Sequence, residues 1–114
     1  KVICITLSSK LSNTYQNAVV AAKEFPDQVY VVDSLNACIG ERILCDYAIQ
    51  LIASGMDIVA IVKELNVKKN QIELLAVVGT LKYLKKGGRI SSVVAFTGEI
   101  LSIKPCYICS TWSG

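Results

Sequence analysis

The chain contains no histidine among its 114 residues. Without an imidazole it cannot supply a Ser-His-Asp triad, a Cys-His pair or a histidine-ligated metal site. Proline is also scarce, with 2 residues, and charged residues make up only 18%, whereas 53% of the residues are hydrophobic. Disordered chains have the opposite balance, so the composition predicts a folded domain with a buried core. We expect neither an enzyme active site nor a cofactor or metal.

Strong charge and long apolar runs are missing as well. The net charge is only +3, and because nucleic-acid-binding domains are usually more basic, we do not expect nucleic acid as the partner. The longest apolar stretch, residues 47–62, is interrupted by polar residues and is shorter than the roughly 20 apolar residues that cross a bilayer. We therefore expect no signal peptide, no stable membrane anchor and a cytoplasmic location.

The five cysteines are an odd number without the spacing of a disulfide framework. This usage is typical of a reducing cytosol, and we expect Cys4, Cys38 and Cys45 to behave as small buried hydrophobes. Cys106 and Cys109 form a C-x-x-C pair, but the chain has no second pair at the spacing of a zinc site. The surrounding residues predict a strand, on which positions three apart face opposite sides. We interpret both as ordinary strand thiols, with redox or metal chemistry as the alternative.

Two short apolar runs, each followed by an amphipathic pattern, dominate the first half of the chain. The predicted elements are strands at 2–7 and 29–32 and helices at 15–25, 39–51 and 58–65. Gly55 is placed as the residue that ends the second helix. Strands that alternate with helices predict an α/β fold, with a parallel sheet covered by helices on both faces.

The sequence becomes polar and rich in lysine near residues 68–70, which predicts a domain boundary. We expect residues 1–69 to belong to a first α/β domain and residues 70–114 to begin a second one. The elements predicted for the second half are strands at 73–78 and 103–109 and short helices at 81–84 and 93–96.

Residues 8–14, which we call the serine loop, join the first strand to the first helix. At the carboxyl edge of a parallel sheet, such a junction offers unpaired backbone N–H groups and the positive end of a helix dipole, which suit a carboxylate or a phosphate. The hydroxyls of Ser9 and Ser12 add donors, and Asn13 with Gln16 has the spacing of a capping box. The alternative is that Ser12 merely caps its helix. Without a glycine-rich nucleotide motif, a simpler anion is favoured.

Two further groups of polar residues stand out. Asp33 and Ser34 end the second strand, and so are expected at the same edge of the sheet as the serine loop. The carboxylate there either positions backbone or solvent beside the anion site or forms an ordinary Asx turn. A basic cluster surrounds two glycines and consists of Lys82, Lys85, Lys86 and Arg89. This cluster is either a solvated turn or a contact for an acidic partner or a phosphate.

Four segments together resemble one family. Residues 5–18, ITLSSKLSNTYQNA, resemble the SSxLSGTYQxA motif of the DegV family of bacterial fatty-acid-binding proteins. Residues 31–34 are similar to the V-I-D-S strand end of that family, and residues 80–91 to its TLEYLKKGGRIS signature. Residues 98–105 are similar to its G-x-L-L-x-I-K-P segment. Order and spacing also match, so the resemblance spans nearly the whole chain.

The resemblance implies an α/β protein of two domains that holds a long-chain fatty acid in a tunnel between them. In that family the serine loop and an upstream threonine loop hold the carboxylate. The family presents the bound fatty acid to a separate kinase subunit, which makes the acyl phosphate. The resemblance therefore implies a binding protein whose partners are a fatty acid and a kinase subunit.

The chemistry of the ligand indicates which residues to consider. Each buried methylene of the tail contributes about 0.8 kcal/mol, whereas the head requires hydrogen-bond donors at the mouth of the tunnel. Ser9 is the first candidate for the head contact. The residues expected to shape the loop around it are Ser8, Ser12, Asn13 and Thr14. The supporting residues are Asp33 and Ser34, and the candidate partner contacts are Arg89 and Lys86.

The chain departs from the family in two ways. Asn13 stands where the family has glycine; asparagine tolerates left-handed backbone, but its side chain intrudes where glycine leaves room. The family's proteins are also well over twice as long, so we expect a fragment or a truncated relative with part of a tunnel wall and exposed core that favours self-association. Two other functions stay open: an anion-binding subunit of a small-molecule transferase, and a basic nucleic-acid-binding regulatory module that uses residues 82–89.

Overall fold

The structure is a computed structural model that describes residues 1–77, 80, 82–89 and 106–108. The chain divides into two compact units, one built on Lys1–Leu74 and the other on Leu75–Ile108. The assignment of residues 1–69 and 70–114 to two domains of the whole protein stays a prediction.

The first unit has two strands and three α-helices in an alternating order. They are β1 (Val2–Thr6), α1 (Thr14–Ala22), β2 (Val29–Asp33), α2 (Ile39–Ala53) and α3 (Ile58–Lys68), followed by a 3₁₀ turn at Lys69–Gln71. β1 and β2 pair in parallel, with Val2 opposite Val29 and Thr6 opposite Asp33. Because parallel neighbours need a crossover, α1 joins them across one face of the sheet. The predicted α/β class with a parallel sheet is confirmed.

The core of this unit lies between the sheet and the pair of helices α2 and α3. Its buried members are Val32, Leu44, Ala48, Ile61 and Leu65. Ile3 and Ile5, which are two residues apart and so share one face of β1, pack against this cluster. α1 contacts both strands but contributes no residue to the cluster. α2 and α3 therefore cover the face of the sheet that carries the core cluster, and α1 covers the other face.

The strands are less buried than the sequence predicted. Val2 is 56% exposed, and the three residues after it are only half-buried, whereas the pattern predicted a strand buried on both faces. The sheet of the described unit has two strands, so each strand lacks a neighbour on one edge. Large apolar side chains elsewhere are also exposed, such as Val20 at 64% and Ile49 at 63%. The expected self-association depends on such surface and stays a prediction.

The ends of the helices agree with the sequence in one case and differ in another. α2 ends at Ala53 and Gly55 follows as its predicted C′ residue, because Gly55 has a φ of 78° and the Met56 N–H donates to the Leu51 carbonyl at 3.2 Å. α1 ends at Ala22, before the predicted end at Phe25. The Phe25 carbonyl instead accepts from the Val29 N–H at 3.3 Å, which turns the chain into β2.

The described part of the second unit contains two short strands and one short helix. They are β3 (Leu75–Val77), α4 (Lys82–Lys86) and β4 (Cys106–Ile108). β3 and β4 pair antiparallel, with Leu75 opposite Ile108. The strand predicted at 73–78 begins at Leu75. Residues 78, 103–105 and 109 of the predicted strands, and the helix predicted at 93–96, lie outside the described residues.

The cysteines are more exposed than predicted. Cys38 is exposed at the start of α2, where its φ is 51°, so its assignment as a buried hydrophobe is wrong. Cys4 and Cys45 are half-buried. Burial, with the negative charges of Glu41 and Asp46, raises the pKa of the Cys45 thiol, which keeps it protonated and weakly nucleophilic.

Neither a membrane-spanning helix nor a metal cluster occurs in the described part of the chain. Its helices are too short or too polar to cross a bilayer. The same residues bring together no group of three or more histidine, cysteine, aspartate or glutamate side chains that could hold a metal ion. Of the C-x-x-C pair, Cys106 lies in β4, whereas Cys109 is outside the described residues.

Candidate functional site

The serine loop lies beside the segment that follows β2, at the carboxyl edge of the sheet. The parallel pairing of β1 and β2 continues beyond the strands, because the Ser34 N–H donates to the Thr6 carbonyl at 3.1 Å. One step further, the Ser8 N–H donates to the Asn36 carbonyl at 2.9 Å. The structure therefore brings the serine loop and the Asp33–Ser34 pair together.

Ser8 is the centre of the serine loop. It is 2% exposed, and its carbonyl accepts from the N–H groups of Leu11 at 3.0 Å and Ser12 at 3.1 Å. Its hydroxyl accepts from the Lys10 N–H at 3.3 Å. The loop is thus a tight turn around one buried serine, whose hydrogen bonds determine the shape of the loop.

Asp33 ties the next residue of the loop to β2. Its side chain is 8% exposed, and Oδ1 accepts from the Ser9 N–H at 3.1 Å and from the Leu35 N–H at 3.0 Å. The bond to Leu35 is an Asx turn, and the bond to Ser9 positions the serine loop. This one side chain therefore forms the Asx turn and also holds the backbone of the serine loop, while its place beside an anion site stays a prediction.

The backbone amides of the serine loop are largely engaged within the protein. The residues whose N–H groups donate to protein atoms are Ser8, Ser9, Lys10, Leu11, Ser12 and Thr14. The expectation that the loop offers unpaired amides to an anion is wrong for these residues. The physical reason is that the Ser8 and Ser9 amides donate to the segment at and after the end of β2, whereas the amides of Lys10, Leu11 and Ser12 donate to Ser8.

The three remaining hydroxyls of the loop differ in their partners. The Ser12 hydroxyl lies 2.8 Å from the Thr14 hydroxyl and accepts from the Thr14 N–H at 3.3 Å, so Ser12 caps the start of α1. Ser9 is half-buried, and within the described residues its hydroxyl has no hydrogen-bond partner. Among the described residues, Ser9 therefore differs from Ser8, Ser12 and Thr14, whose hydroxyls all have partners.

Asn13 differs from both sequence-based expectations. It is the N-cap residue of α1, but its side chain makes no capping hydrogen bond, so the capping box with Gln16 is not formed. Its φ is −75°, which every L-residue adopts readily, so the replacement of the family's glycine requires no left-handed backbone here. The residue is exposed, and the effect of its side chain on the seating of a headgroup stays a prediction.

The basic cluster lies in the second unit. Lys82, Lys85 and Lys86 are exposed on α4, and Arg89 follows after a turn in which Gly88 has a φ of 71°. The Arg89 guanidinium donates to the Gly87 carbonyl at 2.5 Å. Residues 82–89 therefore carry four positive charges on one short segment.

Asn36 is the residue of the site that sequence reasoning missed. It lies in the segment between β2 and α2 and is 1% exposed, and its side-chain Nδ2 donates to the main-chain carbonyls of Ser34 and Lys69. A polar residue in a predicted turn carries no sign in its type or spacing that it will be buried.

The fold and the loop define a class of protein: an α/β module whose hydroxyl-bearing strand–helix loop meets a buried acidic strand end. The family described as "Uncharacterised protein, DegV family" matches residues 1–112, and the chain belongs to this family.

Relatives and solved structures agree with this assignment. A protein of Thermotoga maritima named "fatty acid-binding protein" is 38% identical over 107 residues, which is 92% of this chain and 37% of that protein. A DegV family protein from Thermus thermophilus, whose structure is described by its fatty acid binding, is 37% identical with a TM-score of 0.80, over 94% of this chain and 38% of that one. A DegV family protein from Eubacterium eligens loaded with heptadecanoic acid is 27% identical with a TM-score of 0.82, over 96% and 41%. The chain therefore spans about two fifths of the length of the proteins it matches.

Replacing Asp33 with alanine tests whether this carboxylate holds the serine loop. Asp33→Ala leaves the Ser9 and Leu35 amides without their acceptor, so we expect the free energy of unfolding to fall by about 1–3 kcal/mol. Hydrogen exchange at these two amides should accelerate. The matched control is Asp46→Ala, because Asp46 makes only an exposed ion pair with Arg42 at 3.6 Å, which contributes about 0–1 kcal/mol. Equal effects of the two variants on urea unfolding would contradict the assignment.

Proposed function

We propose that this chain is part of a protein that binds a long-chain fatty acid and that is itself a carrier and not an enzyme. The headgroup is held at the serine loop, with Ser9 as its first contact, and the acyl chain lies in an apolar tunnel. The family membership and the fatty-acid binding of the relatives support the ligand class. The observation that carries the site is the half-buried Ser9 hydroxyl, which has no partner among the described residues.

The surroundings of Ser9 suit a single acidic headgroup. Its amide is fixed to Asp33, so the residue is held while its hydroxyl is free to donate. α1 begins nearby in sequence at Thr14, has no acidic residue in its first turn, and lacks a side-chain cap from Asn13. The positive end of its dipole therefore favours a negative charge at this edge. The shape of the loop is determined by the hydrogen bonds of Ser8, Ser12 and Thr14.

The negative charge of Asp33 sets a condition on the ligand. Two N–H donors already stabilise Oδ1, so the carboxylate is committed to the protein. A ligand head beside it is repelled in proportion to its own charge. A monoanionic carboxylate is therefore better suited to this site than a dianionic phosphate. Ser34 keeps the carboxylate in place through its bond to Thr6.

We also propose that the protein presents its fatty acid to a kinase subunit in the cytoplasm. The resemblance to the DegV family implies this partner, and the exposed basic segment supplies a contact of suitable chemistry. Lys86 and Arg89 end that segment, where clustered positive charge attracts an acidic surface. The transfer of phosphate belongs to the partner in this proposal.

Ser9→Ala tests the headgroup contact. The loss of one hydrogen bond to a charged group weakens binding by about 1.5–3 kcal/mol, so we expect the dissociation constant for palmitate to rise roughly tenfold to a hundredfold. The control is Ser54→Ala, which removes an exposed hydroxyl that bonds only to the Leu51 carbonyl at the end of α2. Displacement of a fluorescent fatty acid measures both.

Three results would contradict the proposal, one from the displacement experiment and two from separate binding measurements on the parent protein. Unchanged palmitate affinity in Ser9→Ala would remove Ser9 from the headgroup site. A parent protein that binds inorganic phosphate but no fatty acid would favour a transferase subunit. A parent protein that binds DNA with a steep salt dependence would favour the nucleic-acid-binding module.

Charge reversal at the basic segment tests the partner contact. In the variant with Lys86→Glu and Arg89→Glu we expect association with the kinase subunit to weaken about tenfold at low salt, with a smaller effect at high salt because ions screen exposed charges. The control is Lys63→Glu, an exposed lysine on α3. Calorimetry at two salt concentrations measures the affinity of each variant for the kinase subunit. Equal weakening in the control would mean that net charge, and not this segment, governs association.

A further inference from the structure

Asn36 joins three segments of the first unit. Its carbonyl accepts from the Ser8 N–H at 2.9 Å and from the Ser34 hydroxyl at 3.0 Å. Its side-chain Nδ2 donates to the carbonyls of Ser34 at 3.0 Å and Lys69 at 3.3 Å. One buried residue therefore connects the serine loop, the end of β2 and the end of α3.

The side chain of Asn36 is held in one orientation. Nδ2 faces two carbonyl oxygens, and a flipped amide would place Oδ1 against both of them. Oδ1 instead lies beside Gly40, where an added Cβ would approach it to 2.6 Å. Only glycine at position 40 leaves room for this arrangement.

This placement costs stability. Oδ1 of Asn36 is a buried side-chain acceptor without a hydrogen-bond partner in the described part of the chain, and such a group costs about 1–3 kcal/mol. Leu35 and Cys38, on either side of it, have positive φ values of 52° and 51°. Backbone strain of this kind persists where the surroundings impose it, and it concentrates at functional sites.

We propose that Asn36 is a positioning residue for the headgroup site, an inference that rests on the proposed function. Its side chain fixes its carbonyl, and the carbonyl fixes the Ser8 N–H. Because the turn of the serine loop is built on Ser8, the position of Ser8 determines where Ser9 presents its hydroxyl. Asp33 holds the same loop one residue later through the Ser9 amide. Asn36 acts through Ser8 and does not touch the ligand.

The test compares Asn36→Ala with Ile61→Ala in the protein. Ile61 is a core residue of α3 at 2% exposure, so its truncation lowers stability without removing a contact of the loop. The measurements are the dissociation constant for cis-parinaric acid, the urea unfolding curve, and hydrogen exchange at the Ser8 and Ser12 amides. We expect Asn36→Ala to raise the dissociation constant about tenfold and to accelerate exchange at both amides. Ile61→Ala should lower stability and leave the dissociation constant within about twofold.

Gly40→Ala is a second variant that displaces the same side chain from the other direction. Gly40→Ala should reproduce the weaker binding of cis-parinaric acid and the faster exchange at the Ser8 and Ser12 amides. If Asn36→Ala does not fold, these measurements on Gly40→Ala test the proposal. Unchanged affinity and unchanged exchange in a folded variant would overturn the proposal, as would equal loss of affinity in Ile61→Ala. If the parent protein fails to bind cis-parinaric acid, the proposed function is wrong, whereas exchange at Ser8 still reports whether Asn36 holds the loop.

Discussion

The candidate site depends on one interaction, the attachment of the serine loop to the chain that follows β2. Ser8 donates to the Asn36 carbonyl, and Ser9 donates to the Asp33 carboxylate. Each of these partners is nearly inaccessible to solvent. Because both anchors use backbone N–H groups of consecutive residues, the loop has little freedom to move away from the sheet. Within the described residues, the Ser9 hydroxyl is left without a hydrogen-bond partner.

This attachment accounts for the hydrogen bonding of the loop's amides. Those of Ser8 and Ser9 donate to Asn36 and Asp33, and those of Lys10, Leu11, Ser12 and Thr14 donate within the loop, which spares the unit the cost of orphaned donors. The cost appears in the neighbouring segment, as an unpartnered Asn36 Oδ1 and positive φ values at Leu35 and Cys38. Rigidity of the loop and strain in the adjacent segment are two consequences of the same packing. A rigid loop presents a hydroxyl with a small entropic loss on binding.

The sequence predicted the alternating fold because apolar runs and helical spacing are local signals, and Gly55 ended α2 as its type requires. The same reasoning located the serine loop and Asp33 at one sheet edge. It did not predict the burial of Asn36 or the exposure of Cys38, since burial depends on which segments meet in space. The capping box at Asn13 was wrong as well: the Asn13 side chain makes no capping hydrogen bond, and the Ser12 hydroxyl accepts from the Thr14 N–H instead.

A structure of the protein with a long-chain fatty acid bound tests the central claim most directly. The account predicts a carboxylate oxygen within about 2.5–3.0 Å of the Ser9 hydroxyl oxygen, the range of an O–H···O hydrogen bond. It also predicts that Asn36 and Asp33 keep their bonds to the loop in that complex. A headgroup bound elsewhere, with the Ser9 hydroxyl facing solvent or another side chain, would contradict it.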